Sequence, residues 1–412
     1  MLKLQWLQVH GFRSVKPGTR LSFSPSLNVL LGQNGTGKTT LLELVAAVAS
    51  SDFTRLMPEA LDVEYELASA TGRITARVRN VPQGSPGAGL TMDLAVAPHD
   101  MSWPLVIRRE GQQVTIARQE DASDVVQERI APEVAGRLWL VLMSGGIAWV
   151  EKSGEGTSAV EPLLTLAREV SAQVGFGRLD EGLDYFGQLL QVELRLSRRP
   201  AGVLATGSGL ASEDLLDGLR RLAASQWGAE RYVLSADSVP FLRDAAALLG
   251  FAGAEAILSP MAAQPQGKYE TLTLGNLELY FTGPGGQRVS ALHLGYGQKR
   301  LLAFLHYLAH ARAVAVADEL GHALHPRQLR ACLERLSSRQ AFFTTQNPML
   351  LDGLAFESPE QVRAIFVLCR RDEVTGHLVW EDMSAEAAAG FFEAWRAAPG
   401  RVAELLQAQG LW

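Results

Sequence analysis

The stretch from Leu27 to Val48 constrains this chain more than any other. An apolar run, Leu27 to Leu31, breaks into Gly32-Gln33-Asn34-Gly35-Thr36-Gly37-Lys38-Thr39, and apolar residues then recur at Leu41, Leu42, Leu44, Val45 and Val48. The run predicts a buried strand, and the recurrence predicts a helix starting at Gly37 or Lys38. The eight residues between them satisfy G-x-x-x-x-G-K-[ST] in the strand, loop and helix setting that gives the motif its meaning. Glycines at 32, 35 and 37 let the backbone wrap round a polyphosphate, so that successive N–H groups and the positive helix end face it. Lys38 is expected to reach β- and γ-phosphate oxygens and the Thr39 hydroxyl to ligate Mg²⁺, with Asn34, Thr36 and Thr40 in the same cradle.

A second apolar run, Ala313 to Ala317, ends in Asp318-Glu319. A buried parallel strand that delivers two carboxylates at its C-terminal end supplies a metal ligand and a water-orienting base to such a loop. Asp318 is expected to hold Mg²⁺, directly or through water, and Glu319 to orient or deprotonate the attacking water. Glu319, His322 and His325 also fall at three-residue steps, a spacing that suggests a metal site. The zincin order H-E-x-x-H is absent, however, and the nucleotide already gives the acids a task.

Bulk properties narrow the remaining classes. The 412 residues are 47% hydrophobic and 20% charged, enough apolar material for a sizeable core. A net charge of −6 argues against a chain coated in basic residues for nucleic acid, although a local basic groove fits within an acidic total. Cys332 and Cys369 are the only cysteines, so neither a disulfide framework nor a cysteine-rich zinc site is available. No signal peptide and no membrane-spanning run is found, and a cytoplasmic location without membrane partners is expected.

Along the chain, two strands (Leu2 to Val9, Arg20 to Phe23) precede the loop. Alternating segments from Leu61 to about Arg118, broken by a turn-rich stretch at Val81 to Gly89, predict an antiparallel sheet. A strand from Leu138 to Leu142 and a loop from Glu151 to Thr157 follow. Helical spacing then runs through Leu163, Leu166, Ala167, Val170 and Val174. Further helices are expected after Ser212, as a cap, and after Ser238 and Pro240, with a flexible stretch from Pro200 to Ser212. Strands Tyr269 to Leu274 and Leu277 to Phe281 are expected to be joined by a Gly275-Asn276 turn. The implied organisation is residues 1–158 as the first part of a core, 159–268 as a helical lobe and 269–412 as the rest of the core.

Leu294-Gly295-Tyr296-Gly297-Gln298-Lys299-Arg300 stands before a predicted helix, about eighteen residues ahead of Asp318. It resembles the LSxGQ signature of ABC ATPases. Together with the opening Gly11-Phe12-Arg13-Ser14 and with Leu324-His325-Pro326 after the acidic pair, it makes nearly the whole chain resemble the SMC/RecF/OLD-like branch of those ATPases. The resemblance implies an α/β fold, an ABC-type P-loop core with mixed and antiparallel sheets plus an inserted helical lobe in the roughly 260 residues between Lys38 and Gly297. It implies a homodimer closed on ATP, with Leu294, Gly295, Gly297 and Gln298 contacting in trans the γ-phosphate held by the partner's loop. Arg13 lies where a basic side chain touches nucleotide in that branch, and His325 in the segment that crosses the dimer interface.

Two residues depart from the family pattern. Gly295 replaces the signature serine, which removes a hydroxyl but leaves the backbone N–H groups. Thr345-Gln346-Asn347-Pro348 stands where relatives carry Thr-His-Ser-Pro, so the γ-phosphate-sensing histidine is replaced by Gln346, which donates a hydrogen bond but carries no charge. Slow ATP hydrolysis is expected. Such proteins serve DNA repair or antiphage defence as conformational switches. The roughly sixty residues after Pro348 are too few for an appended nuclease domain, so an effector or nuclease is expected as a separate chain. The alternative is a RecF-like DNA-binding repair ATPase acting alone, with Arg195, Arg198, Arg199, Arg220 and Arg221 on DNA phosphates. A transporter subunit fits less well, because the lobe is too large and no apolar coupling groove is evident.

Overall fold

The computed structural model describes residues 1–82, 89–101, 104–118, 126–129, 137, 141–142, 157–171, 179, 183–199, 202–207, 211–266, 269–311 and 313–412. They form two compact units. Met1–Arg178, Ala313–Leu320 and Leu333–Trp412 make the first, and Leu179–Arg312 with Gly321–Cys332 the second. Their limits fall at 178/179, 312/313, 320/321 and 332/333, whereas the sequence pattern suggested divisions at 158/159 and 268/269.

The first unit holds two sheets. One has eight strands in the order β2-β1-β4-β5-β6-β7-β8-β9: β1 Lys3–Phe12, β2 Thr19–Ser22, β4 Leu61–Ala68, β5 Gly72–Asn80, β6 Leu90–Pro98, β7 Leu105–Glu110, β8 Gln113–Arg118 and β9 Val126–Arg129. All its pairings are antiparallel. Strict alternation makes it one-sided: Leu61, Val63, Tyr65 and Leu67 are buried, with Asp62, Glu64 and Glu66 between them on the other face.

The other sheet has the order β16-β17-β3-β18-β19, where β3 is Leu27–Leu31, β16 Val314–Ala317, β17 Gln340–Phe343, β18 Phe366–Arg371 and β19 Leu378–Asp382. β16, β17, β3 and β18 run parallel, and β19 turns back along β18. Every residue of β16 and β17 is buried, as expected for strands covered on both faces. Helix α1, Lys38–Ser50, packs on β16 and β17 and shares one apolar cluster with Val314, Val316 and Phe342. Gln340, fully buried, ties β17 to the antiparallel sheet: its side chain accepts from Leu4 N at 2.8 Å and donates to Leu4 O at 2.7 Å and Ser24 O at 2.9 Å. Because four parallel strands end on the same edge, the loops after β3, β16, β17 and β18 emerge side by side.

The second unit is built on a six-stranded antiparallel sheet, β11-β10-β14-β13-β12 with β15 paired to β14. The strands are β10 Leu194–Arg199, β11 Gly202–Gly207, β12 Tyr232–Ser235, β13 Gly253–Gln266, β14 Tyr269–Thr282 and β15 Arg288–Ser290. Ser212 caps the helix Glu213–Ser225 by accepting from Leu215 N at 3.2 Å, and Pro240 opens the helix Pro240–Leu249, both as expected.

Several local expectations need correction. The interval 159–268 carries four strands beside its helices, and β11 occupies part of the Pro200 to Ser212 stretch. Gly275-Asn276 is not a hairpin turn. β14 passes through it unbroken, with Asn276 at φ +52°, because β13 opposite is itself irregular between Ile257 and Ser259 and between Pro260 and Ala262. β13 was hidden by Pro260 and Pro265, residues that ordinarily argue against a strand. Val141 and Leu142 are helical, not extended, and 138–140 lie outside the described residues. So does the expected loop at 151–156, while Thr157 opens the helix Thr157–Ser171.

Candidate nucleotide-binding site

β3 is buried to Leu31, and the chain then turns through Gly32, Gly35 and Gly37 at φ +146°, +80° and +82°. These are values that side chains resist. At Gly32 a Cβ would also run into the carbonyl oxygen of Cys369 on β18, and at Gly37 it would lie 2.6 Å from Leu378 Cδ1 on β19. The loop is therefore pressed against the β18–β19 hairpin. Thr36 Oγ1 closes it by donating to Gln33 O at 2.7 Å. Burial pushes the Cys369 thiol up to about 12, so this residue stays uncharged and its carbonyl is what meets the loop.

Gly37 is the N-cap of α1 and offers no side chain to the first N–H groups of the helix, which leaves them for an anion. Lys38 Nζ donates to Gly32 O at 2.7 Å and Gln33 O at 2.9 Å, which holds the ammonium over the loop. Thr39 Oγ1 donates to Asp318 Oδ2 at 2.8 Å. A hydroxyl and a carboxylate oxygen at that spacing, beside the glycine loop, are the hard oxygen donors that suit Mg²⁺ alongside a phosphate.

The acids are organised by β17. Thr344, fully buried just beyond that strand, donates through Oγ1 to Asp318 Oδ1 at 2.5 Å, and the same oxygen accepts from Glu319 N at 2.8 Å. Leu320 N donates to Thr344 O at 3.0 Å. Glu319 takes φ +49°, a left-handed conformation that turns its side chain out of the strand line. Its carboxylate accepts from both Gln346 N and Gln346 Nε2, each at 3.1 Å. Gln346 is thus the partner of Glu319.

A cavity of about 360 Å³ joins these groups, lined among others by Lys38, Thr39, Thr40, Asp318 and Glu319 and also by Ser14 and Arg371. A second cavity of similar volume borders Lys38 with Gln33, Asn34, Gln346 and Trp412, whose Nε1 donates to Thr345 O at 3.2 Å.

Ser14, Arg371 and Thr344 were not singled out from the sequence. Arg13 was, and Ser14 lines the cavity in its place. The Arg13 guanidinium takes Glu59 in a two-pronged pair, 2.6 and 2.7 Å, and Glu43 at 2.6 Å, with Thr40 Oγ1 at 3.5 Å. Glu59, then Glu43, hold that guanidinium charged well above its usual range, and Arg13 in turn holds the Glu59 carboxyl below its own.

In the second unit, Leu294 is buried, while Gly295 and Tyr296 are exposed at the start of the helix Tyr296–His310. Gln298 Oε1 accepts from Gly295 N at 2.9 Å, a one-way cap that shapes the turn. A Cβ at Gly297 would strike the Ala323 carbonyl oxygen, so the signature turn and the segment after the acidic pair are fitted to each other. His325 N donates to Gln328 Oε1 at 2.9 Å within that unit. Of the arginines considered for DNA, Arg220 pairs with Asp217 and Arg198 lies over the Trp227 ring; the Arg199 side chain lies outside the described residues.

Strand order, glycine loop and acidic pair define a P-loop nucleotide-binding protein. Residues 7–80 match a family model described as "AAA domain", and residues 215–352 one described as "AAA domain, putative AbiEii toxin, Type IV TA system". The chain is 31% identical over 192 residues to the DNA replication and repair protein RecF of Stutzerimonas stutzeri, covering 44% of this chain and 48% of that protein. It is 39% identical over 83 residues to the RecF of Listeria welshimeri, 20% and 22% of the two chains. A third match is the structural maintenance of chromosomes protein 3 of Caenorhabditis elegans, 37% identical over 59 residues, 14% and 5% of the two chains. The chain therefore spans about half or less of the length of the curated relatives it matches. Among solved structures, an Smc head bound to the C-winged helix domain of ScpA is 14% identical with a TM-score of 0.43, covering 93% of this chain and 98% of that one. The SMC head domain of Thermotoga maritima is 13% identical with a TM-score of 0.37, at 93% and 99% coverage. With the motif order, the family and relative matches make this chain similar to SMC/RecF-like, ABC-type P-loop ATPases. Among the described residues no helix is long and apolar enough to cross a membrane.

Proposed function

We propose that this chain binds ATP with Mg²⁺ between two copies of itself, hydrolyses it slowly, and uses closure and opening as a switch for a nucleic-acid-sensing or effector partner, in antiphage defence. Residues 159–268 would be the lobe inserted between the core parts 1–158 and 269–412. The observation that carries this reading is the convergence of Lys38, Thr39, Asp318, Glu319 and Gln346 on one strand edge. Thr39 and Asp318 would hold the ion, which when bound neutralises charge developing on the transferred phosphoryl group. Lys38 and the α1 N-terminus bind the phosphates, and Glu319 takes or orients the proton of the attacking water while Gln346 fixes its carboxylate. Leu294, Gly295, Gly297 and Gln298 would meet the partner's γ-phosphate through backbone N–H groups.

The test is the mass of Glu319→Gln protein in solution with and without ATP and Mg²⁺, together with the proteins that copurify with it. A nucleotide-dependent dimer is expected, and a chain that stays monomeric at saturating ATP would sink the closure. Gln346 makes two hydrogen bonds to Glu319 but offers the phosphate no charge. Gln346→His protein is therefore expected to show a single-turnover rate equal to or above that of the parent, and a lower rate would count against slow turnover arising at this position.

A further inference from the structure

We infer that Arg371 is a nucleotide ligand, binding the α-phosphate and ribose end of the substrate from the β18–β19 hairpin. The inference rests on the nucleotide site proposed above. β18 is in register with β3 at Leu368 and Leu31, so its last residues run past the end of β3 and alongside the glycine loop. Arg371 is the final residue of that strand and is exposed.

Arg370, Glu381 and Asp372 beside it are otherwise engaged. Arg370 pairs with Glu381 at 3.0 Å, and Asp372 accepts from Val374 N and Thr375 N at 3.0 and 2.7 Å, which organises the hairpin turn. Among the described residues Arg371 forms no ion pair. It lines the same cavity as Lys38, and these two are the cations that border it. That cavity also holds Asp318 and Glu319, so a second cation there serves an anionic ligand as well as the local charge balance.

Position along the loop decides which end of the ligand is met. Gln346, the partner of the base Glu319, lines the neighbouring cavity, which Arg371 does not border. Arg371 shares its cavity with Ser14, Thr40 and Leu378 as well as with Thr39, Asp318 and Glu319. The hairpin is held to that side, since Leu378 N donates to Ser14 O at 2.8 Å and Lys16 N to Leu378 O at 2.9 Å. Thr40 lies in the first turn of α1, one residue beyond the metal-binding Thr39. A triphosphate with its terminal group at Glu319 therefore directs its nucleoside end toward Thr40 and the hairpin.

The experiment is calorimetric titration of ATP and of ADP, each with Mg²⁺, into the parent, Arg371→Ala, Arg371→Lys and Lys38→Ala proteins, with melting curves to establish folding. Arg371→Ala is expected to weaken ATP and ADP equally, by about tenfold, the effect of losing one charge-assisted hydrogen bond, and Arg371→Lys by less. A loss under threefold, or a loss for ATP that ADP does not share, overturns the assignment. If Lys38→Ala retains full ATP affinity, the nucleotide site itself fails, and this assignment fails with it.

Discussion

Replacing Glu319 by glutamine is expected to lower ATP turnover by about 10²- to 10⁴-fold while nucleotide remains bound, the range set by losing a positioned proton acceptor. Binding should survive because the cradle for the phosphates is made by the glycine loop, Lys38 and Thr39 rather than by the Glu319 carboxylate. The hydrogen bonds of Glu319 run to Gln346 N and Nε2 and to Thr344 Oγ1. A glutamine amide keeps one acceptor oxygen for Gln346 but faces a second donor with an NH₂ group, so one of the two 3.1 Å contacts is lost along with the charge. Phosphate release under single-turnover conditions, with nucleotide recovered from the purified protein, reads both parts. Retention of more than a tenth of the parent rate would remove Glu319 from the role of base.

Gly32→Ala should be the most damaging single methyl group in the first unit. The backbone there sits at φ +146°, which costs about 1–3 kcal/mol for a residue with a Cβ. The new methyl would also meet the Cys369 carbonyl, a backbone atom of a buried parallel strand that cannot rotate away. Forced overpacking adds roughly 1–3 kcal/mol. A combined loss of about 3 kcal/mol should appear as a lower urea midpoint with an unchanged slope. Nucleotide affinity should fall as well, because relief requires the loop to move away from β18. Gly35, where a Cβ would meet nothing within 4 Å, is the control: an alanine there carries only the conformational strain of φ +80°.

What the sequence made legible was local. The glycine loop, α1 and the acidic pair each depend on residues within a dozen positions of one another, so their spacing already encodes the strand, the turn and the apolar helix face. Thr344 and Arg371 were invisible for the opposite reason. Thr344 matters because β17 pairs with β16, and Arg371 because β18 pairs with β3, whose register joins residues more than 300 positions apart. Arg13 shows a third case: the resemblance implied contact with nucleotide, but Glu43 and Glu59 as its partners were not readable, since Glu59 reaches it across the β1 to β4 pairing. In the second unit, the arginines of β10 at 195, 198 and 199 were read as candidate DNA contacts rather than as part of a strand, and Pro260 and Pro265 hid β13.

The Thr344 hydroxyl spends its proton on Asp318 and its lone pair on the backbone of Glu319. The carboxylates proposed as metal ligand and proton acceptor, on neighbouring residues, are thereby pinned to one oxygen just beyond an adjacent strand. Neither can slide along the sheet without dragging the other, so the pair is seated together or not at all.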